Sequence, residues 1–289
     1  MKKWMAVLSV VFLTSPLFAL QDGNGKLEIA YETEGYVYRE PHMNYPIKIS
    51  GRKQGASLTY TRNNLLSAVG MGEDGSFGTL ELRYLTGDVD YKGFLWDGTP
   101  ATSNNEHDYY YEGRLFVGKH MTMGEYFTLS PYFGLGYRYL CNHAEKSAGG
   151  YKRESTYFYM PIGAGLTFHP GNGWSATLSG EFDWMINGNQ RSQMSDVGNF
   201  DPPYQDWHYK DVTNDQEKGF GLRAGFKVEK DFGGFGLFAE PFYRFWKIQN
   251  SEVEPLLATN GTETVFTGDG LVEPFNITRE YGVKIGVTF

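Results

Sequence analysis

The sequence predicts an all-β fold, an antiparallel up-and-down β-barrel of ten strands that crosses a membrane. Three observations carry this. Apolar and polar residues alternate along several long stretches, which is the period of a strand with unlike faces. Aromatics make up 17% of the 289 residues, with 21 Tyr and 21 Phe. A soluble core rarely holds so many Tyr, because each buried hydroxyl needs a partner, whereas a membrane barrel uses them as girdles at both lipid–water boundaries. Finally, the connections between strands alternate between short and long. A mean hydropathy of -0.44 excludes a bundle of membrane helices. It does not exclude a barrel, which shows lipid only every second residue.

In chain order, the first element is a secretory signal over residues 1–19. Lys2 and Lys3 are its charged start, residues 4–13 its apolar run, and Leu17, Phe18 and Ala19 lead to a cleavage point. The run is too short to cross a bilayer as a helix. Residues 20–289 then form one barrel domain. Its first four strands are placed at 26–38, 54–62, 77–88 and 108–118. The fifth, 127–139, is the clearest: Phe127, Leu129, Pro131, Phe133, Leu135, Tyr137 and Tyr139 lie on one face, with polar or small residues on the other. Strands follow at 156–168 (Phe158, Met160, Ile162, Ala164, Leu166, Phe168), 174–186 (Trp174, Ala176, Leu178, Phe182, Trp184, Ile186), 220–230 (Phe220, Leu222, Ala224, Phe226, Val228) and 235–247 (Phe235, Leu237, Ala239, Tyr243, Phe245). The last is 278–289. Links 119–125, 169–173 and 230–234 are short, and 64–76 should belong with them. Links 39–53, 89–107, 140–155, 187–217 and 248–277 are long. Short periplasmic turns and long outer loops would place both ends of the mature chain in the periplasm.

The chain ends Tyr281-Gly282-Val283-Lys284-Ile285-Gly286-Val287-Thr288-Phe289, with Tyr281, Val283, Ile285, Val287 and Phe289 on one face. This resembles the carboxy-terminal β-signal of bacterial outer-membrane β-barrel proteins. The resemblance implies recognition by the barrel-assembly machinery and a place in the outer membrane, in contact with lipid and lipopolysaccharide.

The opposite face of the strands is charged. Glu28, Glu32, Glu34, Glu81, Glu112, Glu181, Asp183, Glu229, Glu240 and Glu280 should meet Arg83, Arg114, Arg138, Arg223, Lys227, Arg244 and Lys284 in the lumen. In so narrow a space they should pair, filling the lumen and leaving no general diffusion pore.

Enzyme motifs are scarce. There is no phosphate loop, no His-Glu-x-x-His and no Gly-x-Ser-x-Gly. Cys141 is the only cysteine, which rules out an internal disulfide or a Cys-based zinc site. No cofactor or metal is expected. The net charge of -8 argues against nucleic acid. A thiol–imidazole pair at Cys141 and His143 lacks a visible orienting group. For a lipid-modifying enzyme, Ser155 and His143 flank the third long loop without one either.

The ten-strand plan with five outer loops is similar to the omptin proteases, which set an Asp pair against an Asp–His pair across an outer cleft and activate a water. The matching positions are Asp88 and Asp90 at the end of the third strand, and Asp206 and His208 in the fourth long loop. A carboxylate orients an imidazole as general base, and two further carboxylates hold the water. The principal expectation is a structural or surface-binding barrel. Its outer loops carry Tyr91, Phe94 and Trp96, then Tyr151, Lys152 and Arg153, then Tyr204 and Trp207, aromatics and charges of the kind that form recognition surfaces for an extracellular ligand. Asn260-Gly261-Thr262 and Asn276-Ile277-Thr278 match glycosylation sequons by chance. The omptin-like endopeptidase, a narrow pore and a lipid-modifying barrel are the alternatives.

Overall fold

The computed structural model describes residues 25–41, 46–68, 75–95, 98–145, 150–201 and 203–289. The signal segment and Trp96 lie outside them. Fifteen strands are described: β1 Gly25–Glu40, β2 Ile47–Asn63, β3 Ser76–Phe94, β4 Pro100–Lys119, β5 Met121–Met123, β6 Phe127–His143, β7 Lys152–Gly171, β8 Trp174–Ser192, β9 His208–Tyr209, β10 Val212–Gln216, β11 Gly219–Asp231, β12 Gly236–Ile248, β13 Glu254–Thr259, β14 Thr264–Leu271 and β15 Asn276–Thr288. Ten of them close a barrel. Each of β1, β2, β3, β4, β6, β7, β8, β11, β12 and β15 pairs antiparallel with its neighbours, and β15 closes the ring on β1 from Glu28↔Thr288 to Arg39↔Ile277. Closure leaves no open edge, which in lipid would strand unpaired amides.

All ten predicted strands are present, and the alternation sorts their faces correctly. Phe133, Leu178 and Ile285 are each close to 60% exposed on the outer wall. Tyr281, Val283, Ile285, Val287 and Phe289 of the last strand share that wall, the face expected from the sequence. Turns at the end that holds the termini are tight. In Gly171-Asn172-Gly173 all three residues have positive φ, at 95°, 52° and 74°. At the next such turn Gly233 takes φ 89° and its amide donates to Asp231 Oδ1.

The predicted long loops are mostly strand. β2 begins at Ile47, β3 runs to Phe94 and β4 starts at Pro100, so 39–53 and 89–107 reduce to links at 41–46 and 95–99. The staves continue past the apolar band into a region where both faces are polar. There pairing persists, but the alternation used to find strands fades. Residues 187–217 likewise hold the end of β8, where Ile186 is a bulge between the pairs Phe158↔Asn187 and Tyr159↔Met185, and β10, which carries the β11 stave onward along β8. In 248–277, β13 and β14 make a hairpin that joins β9 in a separate three-stranded sheet. This loop sheet packs at the end opposite the termini, over a small core of Met194, Val212 and Leu256.

Candidate functional site

The lumen is filled by charge. Arg83 Nε lies 3.0 Å from Glu32 Oε1, and its two terminal nitrogens lie 2.5 Å from Glu81 and Glu112. Arg223 lies 2.6 Å from both Glu112 Oε1 and Asp183 Oδ2. Arg244 bridges Glu32 at 2.9 Å and Glu34 at 3.2 Å. Arg138 pairs with Glu280, and Arg114 with Glu181. Tyr159 donates to Glu112 at 2.6 Å. Every one of these side chains is inward and buried. The charges therefore form a cross-linked layer spanning the barrel. Arg83, Arg114, Arg223 and Arg244 each use the planar fork on two or three carboxylates, and Arg138 spends its fork on Glu280 alone, the arrangement that offsets desolvation.

The carboxylates and arginines of this layer are legible in the sequence, whereas Lys53 and Trp246 are not. Lys53 is fully buried, 2.8 Å from Asp108, with its ammonium 3.3 Å from the centroid of the Tyr36 ring. Its stretch, 39–53, lacks the apolar alternation that marks a strand. Trp246 lies beneath Arg138 and Arg223. Its position opposite Phe245 on β12 was the available signal.

On the terminus side of the layer, a cavity of about 280 Å³ is bounded by Arg114, Arg223, Arg244, Tyr132 and Glu240. On the other side, one of about 40 Å³ is bounded by Asp108, Asn142, Ser155 and Gln190. The second has room for a few waters. Above the second cavity, Arg153 crosses from β7 to Tyr38 (3.2 Å), Glu40 (3.3 Å) and Glu273 (2.6 Å). This strap ties the 272–275 link over the mouth. Burial pushes the Glu273 carboxyl up to about 7; Arg153 opposes the shift and Glu40 adds to it.

The omptin-like positions do not converge in the mouth. Asp88 and Asp90 flank the inward Val89, so both project from the outer wall. Asp88 lies 3.8 Å from His107 Nδ1, and Asp90 accepts the Asn105 amide at 3.2 Å. Asp206 is exposed, while His208 is held in the loop sheet by pairing with Thr259 and a bridge to Asn199. For Cys141 and His143, the structure supplies an orienting group that the sequence did not reveal. Sγ lies 3.6 Å from Nε2, and Nδ1 lies 2.7 Å from Glu145 Oε1. The thiol itself is fully buried among Tyr109, Tyr139 and the strand ends, closed to a substrate. Ser155 faces the lumen and donates to Gln190, away from His143.

The outer segments that carry the loop sheet have the strongest charge imbalance. Residues 193–217 and 249–275 hold eleven Asp and Glu against the single Lys210. That net -10 exceeds the -8 of the entire chain. Asp211 is answered by Arg191 at 2.8 Å and Glu273 by Arg153. Asp201, Asp206, Asp215, Glu217, Glu252, Glu263 and Asp269 stand exposed.

A closed ring of ten antiparallel staves with an apolar wall and a charged interior is the fold of the bacterial outer-membrane β-barrels. Among solved structures the chain is similar to the outer membrane protease OmpT from Escherichia coli, with a TM-score of 0.55 at 8% identity over 92% of this chain and 96% of that one. The translocator domain of the autotransporter NalP from Neisseria meningitidis gives 0.40 at 12% identity, over 99% and 96%. The attachment protein Ail of Yersinia pestis gives 0.31 at 6%, over 92% and 99%. No family model and no curated sequence matches the chain.

Proposed function

We propose that the chain is a sealed barrel of the bacterial outer membrane that presents its acidic loop sheet as a binding platform for basic partners. In this reading the termini face the periplasm, the C-terminal strand is the assembly signal, and lipid and lipopolysaccharide surround the wall. The observation that carries it is the charge imbalance of the loop sheet. A net -10 gathered at one end of the barrel, mostly without internal counter-ions, creates a field that attracts cations and steers basic surfaces. The cross-linked lumen supports a role at the surface rather than in conduction. The test uses folded protein in planar bilayers and on a polylysine surface. Expected are no large conductance steps and retention that weakens as salt rises past about 0.15 M, where screening reaches about 8 Å. Porin-like steps, or retention unchanged when the exposed loop acids are neutralised, would sink the reading.

A further inference from the structure

We infer that the edge of β14 is the docking site of that platform, and that it takes an extended basic peptide by strand addition; this rests on the binding reading above. Three observations meet there. β14 is the last strand of the loop sheet: it pairs with β13 on one side and with no described strand on the other. Val265 and Phe266 are both exposed, 46% and 60%, so the strand stands clear of the barrel on both faces. An open edge of this kind offers a row of unpaired amides and carbonyls, and natural proteins normally blunt it with Lys, Pro or a cover. Here no Lys or Pro interrupts β14; a bulge opposite Leu256 breaks its ladder between Phe266 and Gly270, so the regular edge is 264–266, with Glu263 before it and Asp269 in the bulge.

The occupant follows from complementarity. A second copy of this chain would bring a net -10 surface against its twin, so edge-to-edge pairing is opposed. An extended segment carrying Lys or Arg at alternate positions presents its cations to the acids on one face, while its intervening apolar side chains, all on the other face, cover Phe266. Main-chain bonds then supply affinity and the alternate side chains supply selectivity. The hairpin is prepared for this. Asn260 Oδ1 accepts the amides of Thr262 (2.9 Å) and Glu263 (2.8 Å), and Gly261 takes φ 87°, so the turn is locked before binding. Less ordering entropy is then lost on docking.

The test uses the refolded full-length protein in detergent, with folding read by heat-modifiable gel mobility. A fluorescent peptide of alternating Lys and Val is titrated by anisotropy, beside the same peptide N-methylated at alternate residues. N-methylation keeps every charge and removes donors. Val265→Pro and Phe266→Pro are made separately. Adjacent amides point opposite ways, so one of the two variants spares the β13 ladder and removes an outward donor. The expected result is binding of the Lys–Val peptide that falls by about tenfold or more on N-methylation and in one proline variant. Equal binding of the N-methylated peptide overturns strand addition while leaving the acidic platform standing. No binding of either peptide overturns both. If both proline variants lose the hairpin, the N-methyl comparison still decides.

Discussion

Individual side chains decide whether the lumen holds together. Glu112 accepts from Arg83, Arg223 and Tyr159, so it is the node at which β3, β7 and β11 are joined to β4. Glu112→Gln keeps the shape but leaves two guanidinium groups short of a counter-charge. Removing one partner from a buried ionic cluster costs roughly 3–5 kcal/mol. The urea concentration that converts the fast-migrating gel form to the slow one should fall accordingly. Unchanged resistance would mean the layer contributes nothing net. Glu273 gives a prediction in pH. Its folded value, about 7, lies above the ordinary 4.5, so its contribution is complete below about 4.5 and is lost as pH rises through 7. The strap should loosen between about pH 4.5 and 7. Hydrogen exchange over 270–276, corrected for intrinsic rates, should quicken across that window in the natural protein and stay flat in Glu273→Gln. Flat behaviour in both would remove the strap's pH dependence.

At the scale of the element, close approach of strands sets the tolerances. A Cβ on Gly55 would lie 1.9 Å from the Tyr84 carbonyl oxygen, and one on Gly134 1.9 Å from that of Leu115. Gly55→Val forces β2 away from β3 where the backbone cannot yield. Overpacking of this kind costs about 1–3 kcal/mol or more, and the yield of folded, fast-migrating protein should drop; full recovery would show that the two strands part easily. The elements also show what was legible beforehand. Where Phe133, Leu135 and Tyr137 alternate with Gly134, Gly136 and Arg138, lipid on one side and charge on the other force a period of two, and the strand was plain. Above the band, Arg52 outside and Lys53 inside, or His107 outside and Asp108 inside, make both faces polar, so stave and loop look alike in sequence. The β13–β14 hairpin did have a signal. Asn260-Gly261 between Leu256-Leu257-Ala258 and Val265-Phe266 is a hairpin pattern, masked by its coincidence with a sequon. Asp88 and Asp90 looked like a catalytic pair because spacing does not say which face carries them; parity with Val89 does.

The whole molecule divides its charge by position. The wall is apolar, the lumen pairs its acids with Arg and Lys, and the outer loops keep the unpaired acids. This makes the longest loops the informative region for function, although they carried no motif. Neutralising the seven exposed loop acids as amides should abolish salt-dependent retention on polylysine while leaving gel mobility unchanged, because none of them belongs to the lumen layer. Loss of folding in that variant would show the acids to be structural instead.

The length of the staves has a mechanical consequence. β3 is 19 residues long, which at about 3.3 Å per residue and a tilt near 40° spans roughly 45–50 Å along the axis, against an apolar band about 25 Å tall. A tethered partner pulling on the loop sheet would load these staves lengthwise, and β1 and β15 alone share twelve paired residues that must slide together. By contrast, β9 holds β13 through two pairs, Ala258↔Tyr209 and Thr259↔His208. Under tension the molecule should behave as a rigid mast with a weak hinge at its tip. The hairpin peels and reseats at low force long before the anchor tears, and a grip of that kind yields under shear without being lost.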